Sequence, residues 1–342
     1  MSEIRIDPIT GRHVIFSMER DNRPSDLWNV KAEECFHCKF EYMADCPFCL
    51  GNEDMTPPEI DRISNGENWD IRIVPNKYPA LDQMEASKVK RIKTSSLFQK
   101  YSGIGTHEVI VESSKHNHNY FNMDKEHFTR FISAVLKRYK EIIKNDSIDF
   151  VSFFKNYQKL AGASLFHPHS QMIGLGSVPD FIRYEIEGSK KYYSNSKTCP
   201  YCDILRIELK KRERLVYENN EFAVISPFAP KYKYELWVLP KAHRPYFQEE
   251  QNETELSDAL YRAFHMLYKT LGDFPFNLYL HGLPKSMKDS NPYYHYHFEI
   301  NPRISGNAGF EIGTGIYINS IFPEEATKTL IENYSLNIER KG

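Results

Sequence analysis

The sequence predicts an α+β protein built from two copies of one unit, each an antiparallel sheet with a helix packed on one face. Three observations lead there. The same order of metal-ligating types, Cys-x-x-Cys, then a lone histidine, then His-x-His, occurs twice along the chain. The step from the lone histidine to the His-x-His is 51 residues in the first half, His116 to His167, and 52 in the second, His243 to His295. Between these markers, runs of strand type alternate with one stretch of helical periodicity per half. The halves are placed at residues 1–180 and 195–342.

The elements follow in chain order. His107-Glu108-Val109-Ile110-Val111 reads as a strand running toward His116, and Tyr234-Glu235-Leu236-Trp237-Val238-Leu239 as its counterpart running toward His243. In each, a glutamate stands eight residues before the histidine, at Glu108 and Glu235. Helical spacing follows at Phe128, Phe131, Ile132, Val135, Leu136, Tyr139, Ile142 and Ile143, with Asp124 as N-cap. Leu256, Leu260, Phe264, Leu267, Tyr268 and Leu271 repeat the pattern. Two β-rich runs close each half, at 148–156 and 166–175 and again at 274–283 and 293–301. The polar, tyrosine-rich stretch 176–198 joins the halves.

Composition excludes several classes of function. Forty-four basic residues against 46 acidic ones give a net charge of −2, so no positive field points to nucleic acid or an anionic membrane. The N-terminus lacks the apolar core of a signal peptide, and no apolar run approaches the length of a bilayer span. A cytoplasmic location is the expectation.

All six cysteines fall in Cys-x-x-Cys pairs, Cys35/Cys38, Cys46/Cys49 and Cys199/Cys202. Two thiolates at that spacing reach one tetrahedral metal from a tight turn; a redox dithiol and a disulfide are the competing readings. Histidines placed to complete the sites favour metal for the two later pairs, whereas Cys35/Cys38 has no evident partner. Cys46, Cys49, His116 and His167 make a closed, structural zinc set.

In a strand, residues i and i+2 share a face, so a metal on His167 would aim His169 at whatever lies in front. A neutral imidazole is available at pH 7 and forms a phosphoramidate without a separate base, which makes His169 a candidate nucleophile toward phosphorus. Gln171, again two residues on, could donate its amide to a phosphate oxygen as charge builds there. The alternative is that both histidines of the pair bind metal and nothing is catalysed. Ala161-Gly162-Ala163-Ser164 ahead of the motif would let backbone N–H groups approach a phosphate, although such runs also form ordinary turns.

With these residues in view, the chain resembles the galactose-1-phosphate uridylyltransferase family of the histidine-triad superfamily, with ADP-glucose phosphorylase as a near relative. The resemblance rests on Arg5 to Arg12, the Arg20/Arg23-Pro24 pattern, Cys46-Pro47-Phe48-Cys49 and Thr56-Pro57-Pro58-Glu59. It continues through Val74 to Leu81, the Gly162-Ala163-Ser164 run, His167-Pro168-His169-Ser170-Gln171 and Gly309-Phe310-Glu311. It implies two fused histidine-triad-like repeats, with His169 as nucleophile and Gln171 on the phosphoryl oxygens. Asn76, Phe154, Asn156, Gly162 and Ser164 would contact nucleoside or phosphates, Arg20 and Arg23 the pyrophosphate side, and Glu311 the sugar hydroxyls. It further implies a homodimer with shared active sites, in which Glu311 serves the neighbour's His169.

The second half departs from the pattern. His295-Tyr296-His297 lacks the proline and Glu299 stands where glutamine would be, so this half is expected to be non-catalytic. For its metal the resemblance offers two sets. One is a zinc set of Cys199, Cys202, His243 and His295; the other uses a glutamate, His281 and both later histidines. The thiolates favour zinc, giving two structural Zn²⁺ per chain. The expected reaction is uridylyl exchange between UDP-glucose and a hexose 1-phosphate through a uridylyl-His169 intermediate. The alternatives are an ADP-glucose phosphorylase or a dinucleoside polyphosphate phosphorylase or adenylyltransferase using the same histidine, and a zinc-stabilised nucleotide-binding protein without turnover.

Overall fold

The computed structural model describes residues 2–22, 39–66, 68–82, 91–93 and 97–339. Arg23 and the Cys35/Cys38 pair lie outside the described residues. In chain order the strands of the first half are β1 (Glu3–Ile6), β2 (His13–Phe16), β3 (Asp61–Asn65), β4 (Asn68–Pro75), β5 (Arg91–Lys93), β6 (Gln99–Tyr101), β7 (Gly105–Val111), β8 (Phe150–Tyr157) and β9 (His169–Leu175). The second half adds β10 (Leu215–Glu218), β11 (Phe222–Ile225), β12 (Leu236–Pro240), β13 (Phe276–His281), β14 (His297–Pro302) and β15 (Tyr317–Asn319). The helices are α1 (Lys125–Ile143), α2 (Asp180–Ser196), α3 (Pro200–Lys211), α4 (Glu253–Leu271), α5 (Gly309–Thr314) and α6 (Pro323–Glu339).

The duplication is visible in the strand order. Ten strands form one continuous antiparallel sheet, β10-β11-β12-β14-β13-β8-β9-β7-β4-β3. Read outward from its centre, each half follows the same path: β8, β9, β7, β4, β3 on one side and β13, β14, β12, β11, β10 on the other. The halves therefore share one sheet, joined where β8 pairs antiparallel with β13 and Phe154 lies opposite Tyr279. Phe154 is also opposite Gln171, and Tyr279 opposite Glu299, so Gln171 and Glu299 occupy matching places. A separate small sheet, β1-β2-β15, includes a parallel pair, β2 with β15.

Both long helices cover the same face of the large sheet. Phe128, Phe131, Val135 and Leu136 of α1 and Leu256, Leu260, Phe264 and Leu267 of α4 bury into one core with Ile110, Phe153, Met172, Leu278 and Phe298 of the strands. Apolar residues at helical spacing meet apolar residues at a spacing of two on that face, while Ile182 and Ile186 of α2 and Tyr201 and Leu205 of α3 pack on Ala223, Ile225, Trp237 and Leu239 of the opposite face. No described helix is long and apolar enough to cross a membrane.

Two local readings are revised. Glu108 and Glu235 are not equivalent. Glu108 accepts a bidentate pair from Arg138 of α1 at 2.6 Å, on the face that α1 and α4 cover. Glu235 instead accepts the Lys231 N–H and the Trp237 indole N–H. Val238 pairs with Phe298 as Ile110 pairs with Ser170, so the matched position to Glu108 is Leu236, and a one-residue offset has put the glutamates on opposite faces. The joining stretch is also more than a connector, because α2 forms within it and buries Ile182, Glu185, Ile186 and Ser189.

Asp124 caps α1 as expected, its carboxylate accepting the His127 N–H at 2.7 Å. Asp124→Ala should lower the stability of the protein by about 0.5–2 kcal/mol in a denaturant titration, because one orphan N–H of the first turn then loses its partner. An unchanged midpoint would show that α1 is held by packing alone.

Candidate active site

His169 opens β9 on the face of the sheet opposite α1 and α4 and is 8% exposed. Its Nδ1 donates to the carbonyl of His167 at 2.8 Å. A carbonyl only accepts, so Nδ1 carries the proton and Nε2 presents a lone pair. Burial, the largest influence, lowers the pKa of His169 against the opposing bond to His167, so the ring is neutral at pH 7. A buried, neutral imidazole held in one tautomer is a competent nucleophile toward phosphorus.

Gln171 is oriented by a residue that the sequence did not single out. His107 Nδ1 accepts the Ala80 N–H at 3.0 Å, which leaves the proton on Nε2, and that nitrogen lies 2.8 Å from Gln171 Oε1. Asn76 Nδ2 approaches the same oxygen at 3.5 Å, while its Oδ1 accepts the Tyr78 N–H. With its oxygen engaged by His107, the NH₂ of Gln171 is the end left to donate to an anion. His107 escaped notice because only the register β7–β9, with His107 opposite Ile173, brings it beside Gln171.

Phe154 and Asn156 are half-buried on β8, and Gly162 and Ser164 lie in the exposed turn that follows. Gly162 has φ +88°, a left-handed conformation that suits glycine and closes the short 3₁₀ turn Lys159–Ala161. Ser164 lines a cavity of about 260 Å³ with Gln158, Lys159, Ala163, Leu165 and Phe166. The second half braces this turn: Asn277 Nδ2 donates to Asn156 Oδ1 and to the Ala161 carbonyl, both at 2.8 Å. Arg20 sits exposed in the 3₁₀ turn Met18–Asn22. Glu311 lies on α5, where its carboxylate accepts the Ala308 N–H at 2.9 Å, a bond within its own helix rather than with the His169 pocket.

Both predicted cysteine–histidine sets assemble. The ligand atoms of Cys46, Cys49, His116 and His167 lie within 4.8 Å of one another, as do those of Cys199, Cys202, His243 and His295. Sγ–Nδ1 separations are 3.4–3.6 Å in the first set and 3.3–3.7 Å in the second. Ligands bound to one tetrahedral zinc at ordinary Zn–S and Zn–N lengths would stand about 3.6 Å apart. The Nε2 atoms of His167, His243 and His295 each meet a backbone carbonyl, of Ser113, Asn291 and Pro240, at 2.7–2.9 Å. Those bonds put the protons on Nε2, so each Nδ1 lone pair faces sulfur and the donor set suits a cation between them. All four cysteines are free thiols, which sets the disulfide reading aside for them. Phe48, between Cys46 and Cys49, rests its ring 5.5 Å from that of His169, so the cysteine loop packs directly on that imidazole.

A third group, Glu185, His281, His297 and Glu299, converges beneath the second half. His281 and His297 belong here rather than with Cys199 and Cys202. Lys231 Nζ and the Tyr279 hydroxyl each meet Glu299 Oε2 at 2.6 Å, and Glu185 accepts from His281 Nδ1 and from the Tyr294 hydroxyl. Burial would lower the pKa of His297, but Glu299 and Glu185 outweigh it and raise it above the ordinary imidazole value. Burial likewise disfavours the Glu299 carboxylate, yet Lys231 and His297 keep it ionised. The place matching Gln171 is thus filled by Glu299, whose neighbours Glu185, His281 and His297 bring their ligand atoms within 4.8 Å of one another.

Replacing His107 tests the orientation of Gln171. His107→Phe keeps the ring volume but frees the amide to rotate, and should slow nucleotidyl transfer by about tenfold or more, with donor KM changed less. Unaltered turnover would show that Gln171 finds its orientation without His107.

Comparison with known proteins agrees with this geometry. The galactose-1-phosphate uridyl transferase N-terminal domain profile matches residues 1–179, and the profile of a domain of unknown function, DUF4921, matches residues 104–341. An ADP-glucose phosphorylase from Arabidopsis thaliana is 34% identical over 334 residues, covering 96% of this chain and 92% of its own length. A galactose-1-phosphate uridylyltransferase from Thermotoga maritima is 28% identical over 341 residues, covering 97% and 98%. Among solved structures, the A. thaliana ADP-glucose phosphorylase with bound ADP-glucose superposes with a TM-score of 0.82 at 33% identity, covering 97% of this chain and 98% of that one. A uridylyltransferase gives a TM-score of 0.72 at 26% identity, covering 98% and 99%. With His169, Gln171 and the duplicated sheet all in place, the chain belongs to the galactose-1-phosphate uridylyltransferase family of nucleotidyltransferases.

Proposed function

We propose that this enzyme moves a nucleotidyl group from a nucleoside diphosphate hexose to a phosphate acceptor by way of His169. The observation that carries the proposal is the pairing of a buried, neutral imidazole with a glutamine whose NH₂ is the end left to donate. His169 Nε2 attacks the α-phosphorus; the P–N bond forms as the P–O bond to the sugar phosphate breaks, and hexose 1-phosphate departs. Nδ1–H keeps its bond to the His167 carbonyl throughout, so the positive charge on the phosphorylated ring meets an acceptor already in position. Gln171 donates to the equatorial oxygens as charge collects there. An acceptor phosphate oxygen then attacks the same phosphorus and returns His169 to the neutral ring.

Two acceptors remain in competition. The uridylyltransferase reading takes UDP-glucose and a hexose 1-phosphate, and rests on the profile match and on the T. maritima relative. The phosphorylase reading takes ADP-glucose and inorganic phosphate, and is favoured by the 34% identity and the TM-score of 0.82 to the A. thaliana enzyme. In both, Asn76, Phe154, Asn156, Gly162 and Ser164 hold the nucleotide, and Arg20 and Arg23 flank the pyrophosphate. Glu311 reads the sugar hydroxyls of a neighbouring subunit's site, which suits its place on α5 between the exposed side chains of Phe310 and Ile312. The halves act as a catalytic unit, 1–180, and a non-catalytic unit, 195–342. The two cysteine–histidine sets hold zinc as structure, since four protein ligands leave no position for water.

Incubation with UDP-glucose and ADP-glucose, each labelled at the α-phosphate, should label the protein with one of them, and intact mass should show one acid-labile adduct per chain. His169→Gly should abolish the adduct and lower turnover by several orders of magnitude. The acid limb of adduct formation should lie below pH 6.5, the ordinary imidazole value, because the lowered pKa keeps His169 unprotonated further into acid. An adduct that survives in His169→Gly would overturn the assignment. For the metal, elemental analysis should give two zinc atoms per chain, and a strong chelator should unfold or aggregate the protein rather than switch it off reversibly. A metal-free protein with an unchanged melting temperature would remove zinc from the account.

A further inference from the structure

The two halves of the sheet differ at one place that the repeat should have made alike. The β13–β14 ladder runs from Phe276 opposite Pro302 to Leu280 opposite Phe298 and His281 opposite His297. The β8–β9 ladder runs from Phe150 opposite Leu175 and stops at Phe154 opposite Gln171. Since Phe154 and Gln171 match Tyr279 and Glu299, the missing steps are those of Lys155 with Ser170 and of Asn156 with His169. The strands part at the nucleophile. That fork leaves Asn156 free of β9 and able to serve the site, and it leaves His169 paired only on its other side, with Val111 of β7.

Lys155 stands at the fork, on the face that α1 and α4 cover, 1% exposed. Its Nζ lies 3.3 Å from the His169 carbonyl and 2.6 Å from Glu112 Oε2. Glu112 is wholly buried; its Oε1 accepts the Tyr120 hydroxyl at 2.8 Å, and its own N–H donates to the Pro168 carbonyl at 3.0 Å. With the bond from His169 Nδ1 to His167, every carbonyl of the His167-Pro168-His169 run has a donor.

The second half shows that the fold does not need this pair. The position matched to Lys155 is the buried Leu280, and β12, the counterpart of β7, ends in Leu239 and Pro240 where β7 leads into Glu112. A buried ion pair carries a desolvation penalty that an apolar pair avoids, so an apolar solution is available to this scaffold and is used in the half without a nucleophile.

We propose that Lys155 is a positioning residue for the nucleophile, its Nζ–H replacing at the His169 carbonyl the restraint that strand pairing gives up where β8 and β9 part, with Glu112 holding the amine in place. The ammonium and the amine both carry N–H donors, so the contact survives either protonation state. This rests on the nucleotidyl-transfer reading of His169.

The test compares the parent enzyme, Glu112→Gln and the double variant Lys155→Met/Glu112→Gln. The double variant leaves no buried charge unpaired, and Gln can still accept from Tyr120. Rapid-quench measurement of adduct formation with the nucleotide sugar that labels the parent gives the rate and its concentration dependence. Zinc content and melting temperature report the fold. The double variant should keep its fold and donor KM but form the adduct about ten- to a hundredfold more slowly, the scale of a slightly misplaced reacting group. Glu112→Gln alone, which retains the donor on His169, should recover most of that rate. A folded double variant as fast as the parent, a loss confined to KM, or a Glu112→Gln variant as slow as the double would overturn the proposal. A parent that forms no adduct with any nucleotide sugar would instead overturn the nucleotidyl-transfer reading, and this proposal with it.

Discussion

The hydrogen bond from His169 Nδ1 to the carbonyl of His167 is the constraint around which the site is organised. It fixes which nitrogen carries the proton, and so which one can attack. It works only if the His167 carbonyl is itself immobile. The imidazole of His167 is held on one side by the Ser113 carbonyl and faces the two thiols on the other. The cysteine loop thus acts at one remove, through the backbone of a single dipeptide and through Phe48, which leans on the His169 ring.

Duplication explains both the economy and the asymmetry of the molecule. Two half-sheets joined edge to edge through β8 and β13 bury one continuous core beneath α1 and α4, larger than either half could form alone. The join also lets one half serve the other, as when Asn277 of β13 braces Asn156 and the turn before Gly162. The same geometry has diverged at matched places. Where the first half carries the neutral amide of Gln171, the second buries Glu299 against Lys231 and Tyr279.

Several features were legible in the chain itself because they are local or periodic. The helix faces, the Asp124 cap, the two Cys-x-x-Cys turns and the i, i+2 relation of His167, His169 and Gln171 follow from spacing that backbone geometry alone enforces. The equal intervals in the two halves carried the lone histidines into their metal sets as well. Counting failed where a single residue decided the face. Glu108 and Glu235 stand at the same distance from their histidines yet lie on opposite sides of the sheet, because the intervening turns differ by one residue.

What the sequence determined by itself, then, is the family, the two cysteine–histidine sets and the repeated α+β unit, each written in short intervals of residue type. Tertiary structure alone decided that the halves share one sheet, that α2 delivers Glu185 to the second half, that His107 orients Gln171, and that Lys155 meets Glu112 and His169. These contacts join residues tens of positions apart on different strands. Their partners are chosen by strand register and by where a ladder ends, and both are set by the packing of the whole sheet rather than by any local run of residues.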